Sequence, residues 1–325
     1  MRAAVITRPG GPEVLEIQEV ETPEPLGDQV RVRVRASGIN RADLLQRAGG
    51  YPAPPGSPSD IPGLEFAGEV DSVGPLARQW KPGQRVMGLV GGGAQAQYVV
   101  THEGMLVAIP DNLDFVQAAG VPEVFMTAHD ALFTQAGLQM GERVLIHAVG
   151  SGVGTAALQL ARAVGATTFG TSRTQAKLEA AKALGLDVGL QDQDFSVEIM
   201  QRTNGEGVHV VIDFVGAPYL EQNLQAIASW GRIVYLSTMA GAHAGVNLGL
   251  LMHKRISIRG VTLRTRTLEE KLAVTRRFAT SVLPLLARGQ VKPVIERVYA
   301  LEEIAEAHKA MGENRNFGKL VVRVD

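Results

Sequence analysis

Between Val144 and Ala161 the chain carries no Lys, Arg, Asp or Glu, and its texture changes halfway along. Arg143 to Ala148 is an apolar run of strand length. Gly150-Ser151-Gly152-Val153-Gly154 follows, and Val153 to Val164 then places Ala and Leu at helical spacing. A second uncharged stretch runs from Ile233 to Met252. Either is long enough to cross a bilayer, but glycine interrupts both. Near-continuous apolar strands, each followed by a turn, are what a parallel sheet covered on both faces requires. That requirement fixes the core of the fold.

The same rhythm extends to both sides. Strands are predicted at Thr167 to Thr171, Val208 to Phe214 and Arg232 to Ser237, with helices at Thr174 to Leu184 and Tyr219 to Ala228. Such alternation is the sequence form of a doubly wound α/β sheet. The first 110 or so residues read differently, as short strands broken by Pro and Gly. In Gln29 to Ala36, Val30, Val32 and Val34 alternate with Arg31, Arg33 and Arg35, which predicts a half-buried strand with a solvated arginine face. Glu65 to Val73 and Arg85 to Val90 read as further strands of a compact antiparallel barrel. Tyr51 to Pro62 is a proline-stiffened loop, either the wall of a cleft or plain surface. After Gly260 the pattern predicts a long helix Leu268 to Ala287, a strand Val294 to Tyr299, a helix Leu301 to Met311 and a strand Lys319 to Val324 that rejoins the barrel. The expected domains are 1–122 with 265–325, and 123–264.

Composition excludes several functions. The 325 residues hold 32 Lys+Arg and 33 Asp+Glu, a net charge of −1 with no bias toward nucleic acid. There is no cysteine, so disulfides, thiol nucleophiles, iron–sulfur clusters and thiolate zinc sites are excluded. Met1 to Gly10 has no sustained apolar core, and a cytoplasmic protein is expected.

Read from Gly152, the glycine turn is G-x-G-x-x-A between a predicted strand and a predicted helix, the form that cradles a dinucleotide pyrophosphate on a helix N-terminus. Gly150, Ser151, Gly152, Val153 and Gly154 are therefore candidate cofactor contacts. Where an NAD-binding chain places an acidic residue about 20 residues further on, this one has Ser172-Arg173, with Lys177 a helical turn beyond. A hydroxyl, a guanidinium and an ammonium suit a ribose phosphate. NADPH is the cofactor expected, unless Arg173 and Lys177 are only a solvated helix start.

Gly38-Ile39-Asn40-Arg41-Ala42-Asp43, Pro62-Gly63-Leu64-Glu65-Phe66-Ala67-Gly68, the glycine turn and Asn316-Phe317-Gly318-Lys319 resemble the medium-chain dehydrogenase/reductase superfamily, in order and over nearly the whole chain. Within it the sequence is similar to the zinc-independent quinone oxidoreductases, the p53-inducible kind most of all, with Asn40 to Tyr51 carrying much of the match. The resemblance implies a GroES-like antiparallel β-barrel catalytic domain beside a Rossmann domain, with a substrate pocket between them. Zinc-dependent members have a Cys where this chain has Asn40 and a His where it has Leu64, so a metal-free site is implied. Similar proteins often have a Tyr near Gln191-Asp192, by the adenine ribose phosphate, and Asp192 in that place weakens the expectation of NADPH slightly.

Asn40, Tyr51, Thr127, Met239 and the corner Asn316, Gly318 and Lys319 are then expected around nicotinamide and substrate, Asn40, Tyr51 and Thr127 as the catalytic candidates. Asn40 either orients a carboxamide or substrate oxygen, or caps a loop. Tyr51 is a lid and proton donor or a packing residue, and Thr127 a nicotinamide contact or a helix cap. Asp43, Glu65 and Asp213 read as structural carboxylates. The expected substrate is a quinone or a related electrophile. The alternatives are reduction of an enone, enal or enoyl-thioester double bond, and a non-catalytic NADPH- or RNA-binding protein of crystallin type. Ile256 to Leu263 reads as an edge strand, and a homodimer paired through such edges is expected, with neither nucleic acid nor membrane as a partner.

Overall fold

The computed structural model describes residues 1–191 and 193–324, so Asp192 lies outside the described residues. They form two compact units, 1–126 with the chain from Leu263 onward, and Thr127–Thr262. The first boundary falls inside the helix Pro122–His129, four residues beyond the expected position.

In the first unit the organising strand is Gln29–Gly38. One edge pairs antiparallel with Glu65–Val73. The other is divided between Tyr98–His102, along its first half, and Lys319–Arg323, along its last residues. Arg85–Leu89 and Leu106–Ala108 extend the sheet outward. Ile295–Ala300 adds to Lys319–Arg323 in parallel, so the carboxyl-terminal strands do rejoin the first unit. Val30, Val32 and Val34 are buried with Phe66, Leu106 and Ile304 in its core, as period-two alternation requires.

The arginine face is not simply solvated. Arg31 pairs with Asp71 and Glu24, and Arg35 with Glu69, leaving only Arg33 exposed. The carboxylates of the neighbouring strand and of the segment before this one set that outcome, and alternation within one strand cannot report them. The predicted helix Leu268 to Ala287 is likewise two helices, Leu268–Ser281 and Leu283–Ala287. Pro284 stands in the first turn of the second, where it has no amide to donate to the preceding turn and its ring would crowd the carbonyl four residues back. The helix Arg41–Arg47, which did not stand out from its sequence, begins directly after Asn40.

The second unit is a six-stranded parallel sheet in the spatial order Val188–Gln191, Thr167–Ser172, Arg143–Ile146, Val208–Asp213, Ile227–Tyr235, Ser257–Gly260. Numbered along the chain this is 3-2-1-4-5-6, the doubly wound arrangement whose ligand crevice lies at the carboxyl ends of the strands where the winding reverses. Buried His147 ties two layers together: its ring nitrogens reach Thr171 Oγ1 (2.9 Å) and Asn223 Oδ1 (2.7 Å). Burial disfavours the imidazolium and lowers its pKa, so it serves as a core histidine. The helix expected over Tyr219 to Ala228 ends at Ala226, and the strand starts early, at Ile227. Trp230 takes a left-handed backbone (φ 62°) inside that strand, and the register shifts there. Ser257–Gly260 closes one side of the sheet as an exposed edge.

Candidate functional site

The glycine turn leaves Arg143–Ile146 at the reversal of winding and opens the helix Gly152–Ala163. Ser151 is the N-cap, its Oγ accepting the Gly154 amide at 3.0 Å. The strained left-handed residue of the turn is Ala148 (φ 44°), not a glycine. Gly154 is needed for a different reason: a Cβ there would stand 2.5 Å from the Ala148 carbonyl oxygen and 2.8 Å from that of Val149. The first helical turn is thus drawn tight against the loop, with its amides at the sheet's carboxyl end, where an anion is stabilised.

The adjacent strand ends at Ser172, whose Oγ accepts the Thr174 amide at 3.3 Å. Arg173 is exposed and makes no hydrogen bond or ion pair among the described residues, while Lys177 is half-buried in the first turn of the helix Gln175–Ala183. Met239 is half exposed in the loop beyond Tyr235, its amide held by the Phe214 carbonyl at 3.3 Å. The second unit therefore gathers the turn, Ser172, Arg173 and Met239 at one end of one sheet. Thr127 Oγ1 is buried without a hydrogen-bond partner. A hydroxyl in that state costs free energy until something bonds to it.

In the first unit Asn40, Glu65 and Lys319 form a closed network. Lys319 Nζ donates to Glu65 Oε1 (2.5 Å), Asn40 Oδ1 (2.7 Å) and the Ile39 carbonyl (2.8 Å). Asn40 Nδ2 donates to Glu65 Oε1 (2.9 Å) and to the Gly38 carbonyl (3.3 Å). Both amide hydrogens of Asn40 are thereby used, and one lone pair on Oδ1 is left for a ligand. Glu65 Oε2 takes the Glu123 amide at 2.8 Å. Gly38 allows this approach, since a Cβ there would meet Glu65 Oε1 at 2.3 Å.

Asn40 thus starts a helix and also holds the ammonium and carboxylate in place. Asn316 and Gly318 act upstream of Lys319. Asn316 Nδ2 bonds the Gly318 carbonyl at 2.7 Å, and Gly318 (φ 86°) sits where a Cβ would strike the Val294 carbonyl. Asp43 donates nothing and accepts the amides of Asn40 (2.7 Å) and Gly63 (3.1 Å). Burial outweighs those bonds and raises its carboxyl to about 6.

A pocket of about 470 Å³ lies in this unit, walled by the Pro54–Pro58 loop, Leu64, Val90, Glu123, Arg264 and Lys271. Arg264 braces it by donating to the carbonyls of Gly91 (2.7 and 2.9 Å) and Tyr51 (3.0 Å) and to the Gln46 amide oxygen, with its guanidinium 5.0 Å from the centre of the Tyr51 ring. Tyr51 is therefore fixed by Arg264 and not by the Asn40 network. Partial burial raises its phenol above the ordinary value.

Arg264, Glu123 and Lys271 did not stand out in the sequence. The one signal was Glu123, a lone carboxylate inside the otherwise apolar run Ala118 to Met126. Among the described residues no three His, Asp or Glu side chains are grouped to hold a metal, and no helix is long and apolar enough to cross a membrane.

An antiparallel catalytic unit interrupted by a doubly wound nucleotide unit defines a class, and comparison with known proteins agrees. Residues 27–111 match the alcohol dehydrogenase GroES-like domain and residues 152–279 the zinc-binding dehydrogenase family. A quinone oxidoreductase of Pseudomonas aeruginosa is 36% identical over 318 residues, covering 96% of each chain. The crystal structure of an NAD-dependent alcohol dehydrogenase superposes over 100% of both chains with a TM-score of 0.91 at 34% identity. The CurK enoyl reductase covers 100% of this chain and 99% of its own, with a TM-score of 0.88 at 29% identity. The chain belongs to the medium-chain dehydrogenase/reductase superfamily and is an oxidoreductase of its nicotinamide-dependent kind.

Proposed function

We propose that this protein is a zinc-independent NADPH:quinone oxidoreductase. The observation that carries the reading is the Lys319 ammonium, fixed between Asn40 and Glu65. Asn40 stands where metal-dependent relatives place a thiolate ligand, and here a side-chain cation supplies the positive charge beside it. A relative named quinone oxidoreductase at 36% identity supports the substrate class. When bound, the reduced nicotinamide supplies a hydride.

The chain's own residues do the rest. Gly150 to Gly154 hold the pyrophosphate on the helix that Ser151 caps, and Ser172, Arg173 and Lys177 bind the ribose phosphate. Arg173, with no partner among the described residues, is available to it without breaking any ion pair that they make. Thr127 Oγ1 and Asn40 Oδ1 each retain unused hydrogen-bonding capacity and orient the nicotinamide amide or ribose, with Met239 packing against the ring. Tyr51 presents an apolar ring with a polar tip to the acceptor.

The test is NADPH oxidation against a panel of ortho- and para-quinones, enones, enals and enoyl thioesters, before and after chelation. Quinone turnover insensitive to chelator supports the reading. Exclusive turnover of enoyl thioesters would favour the second reading, double-bond reduction, for which the likeness to the CurK enoyl reductase speaks. The variant Arg173→Ala with Lys177→Ala is expected to weaken NADPH binding about 100-fold or more, at about 1.5 kcal/mol or more for each charge-assisted hydrogen bond removed, with little change for NADH. Equal weakening for both cofactors would overturn the phosphate assignment.

A further inference from the structure

Glu123 is the one acidic side chain among the described residues that wall the 470 Å³ pocket, and the reading of the chain as a nicotinamide oxidoreductase gives it no task. Its amide is pinned to Glu65 Oε2 at 2.8 Å, which fixes the backbone of the first helical turn of Pro122–His129. Its carboxyl makes no hydrogen bond or ion pair among the described residues. Lys271, in the wall of the same pocket, is also without such a partner among the described residues. A carboxyl that is partly buried and unpaired, and that opens on a cavity, has the geometry of a group meant to meet something in the cavity.

We propose that Glu123 is the proton donor of the reaction, delivering its carboxyl proton to an oxygen of the acceptor held in the pocket beside Arg264 and Lys271. The inference rests on the oxidoreductase reading. A hydride from the reduced nicotinamide brings two electrons and one proton to a quinone and produces the hydroquinone monoanion. The Glu123 O–H bond breaks, an O–H bond forms on the anionic oxygen, and neutral hydroquinone leaves. The carboxylate recovers its proton from water, and the nicotinamide ends oxidised.

The electrostatic surroundings suit this role. Burial pushes the Glu123 carboxyl up to about 8, and the Glu65 carboxylate beside it acts in the same direction, as does Asp43 from the helix Arg41–Arg47. Lys319 and Arg264 pull the other way and do not overcome them. Lys271, from the helix Leu268–Ser281, senses the same carboxyl, and burial lowers its own pKa. Glu65 accepts from Lys319, Asn40 and the Glu123 amide, so its oxygens are already engaged within the protein. Of two neighbouring carboxyls, one is thus engaged by the protein's own donors, while the other is raised toward its protonated form at neutral pH, a division of labour that separates structural from acid–base groups.

The first test needs no turnover. Infrared difference spectra of the ligand-free protein, titrated from neutral to alkaline pH, should show a protonated carboxyl band disappearing with a midpoint near 8 and absent from Glu123→Gln. The variant is isosteric and breaks no hydrogen bond of the side chain. A wild-type spectrum with no such band, Glu123 being ionised already and paired to Lys271, overturns the proposal.

The second test is kinetic. Glu123→Gln should lower kcat about 100-fold with KM for NADPH unchanged and abolish the alkaline fall in rate, while Glu123→Asp restores part of it. If wild type and Glu123→Gln turn over quinones equally, the proposal fails and the oxidoreductase reading stands. If wild type reduces no acceptor, both fail.

Discussion

Lys319 is 3% exposed at its side chain and Glu65 0%, so neither charge is supported by water. Breaking such a pair by removing one partner strands the other in a low-dielectric site and costs about 3–5 kcal/mol. Lys319→Met is therefore expected to lower the stability of the first unit by that amount in chemical denaturation, and to release Asn40 from its fixed rotamer. A decrease below about 1 kcal/mol would mean the pair is solvent-relieved.

Glu123 gives a prediction of opposite sense. Its folded pKa of about 8 lies above the ordinary 4.5, so between those values the folded state keeps a proton that the unfolded state has lost. Stability then falls as pH rises, by up to about 1.4 kcal/mol per unit, and the penalty is complete above the folded pKa. Relative to wild type, Glu123→Gln should gain stability steadily across that window and no further beyond it. Parallel urea midpoints at all pH values would contradict this. At this scale the sequence marked Asn40 and Lys319 as candidate site residues and read Asp43 and Glu65 as structural. It carried no sign that Asn40 and Lys319 touch, because 279 residues separate them and one chain holds no record of such a pairing.

At the scale of elements, the turn opening Gly152–Ala163 shows how local pattern and packing share the work. Spacing alone revealed a glycine-rich strand-to-helix connection. Which position needs glycine, and why, is a matter of packing: the left-handed residue is Ala148, and Gly154 is required by the carbonyls behind it. Gly154→Ala should displace the start of the helix by a few tenths of an ångström or more and cost about 1–3 kcal/mol, the usual penalty for overpacking. Since these amides are the ones proposed to hold the pyrophosphate, the dissociation constant for NADPH should rise in parallel, as isothermal titration would show. Unchanged affinity would remove these amides from the cofactor site.

The helix expected over Leu268 to Ala287 fails at Pro284, a local signal present in the sequence and outvoted by apolar periodicity. The early strand at Ile227 fails for a different reason. Trp230 adopts a left-handed backbone that bulky residues rarely take, and nothing in its neighbours announces it.

At the scale of the whole molecule, Ser257–Gly260 pairs on one side only, with Ile227–Tyr235. Its open amides and carbonyls, with Ile258 38% exposed among them, invite a second strand. We expect a homodimer joined by antiparallel pairing of this edge across a two-fold axis. Light scattering should return twice the 34.6 kDa chain mass, and a single-chain mass would overturn the expectation.

The sequence by itself determined the architecture. Periods of two and 3.6 residues, a glycine turn between strand and helix, and the absence of cysteine are properties of neighbours along the chain, and they sufficed for two kinds of domain and a nucleotide site without thiolate metal. Only the tertiary structure decided which side chains meet. Arg264 reaches from one side of the chain to Gln46, Tyr51 and Gly91, and Lys319 closes on Asn40 and Glu65. Glu123 lines a cavity, and burial together with the neighbouring Glu65 raises its proton affinity. Charge and proton affinity depend on burial and on neighbours in space, which folding creates and which a linear order of residues does not contain.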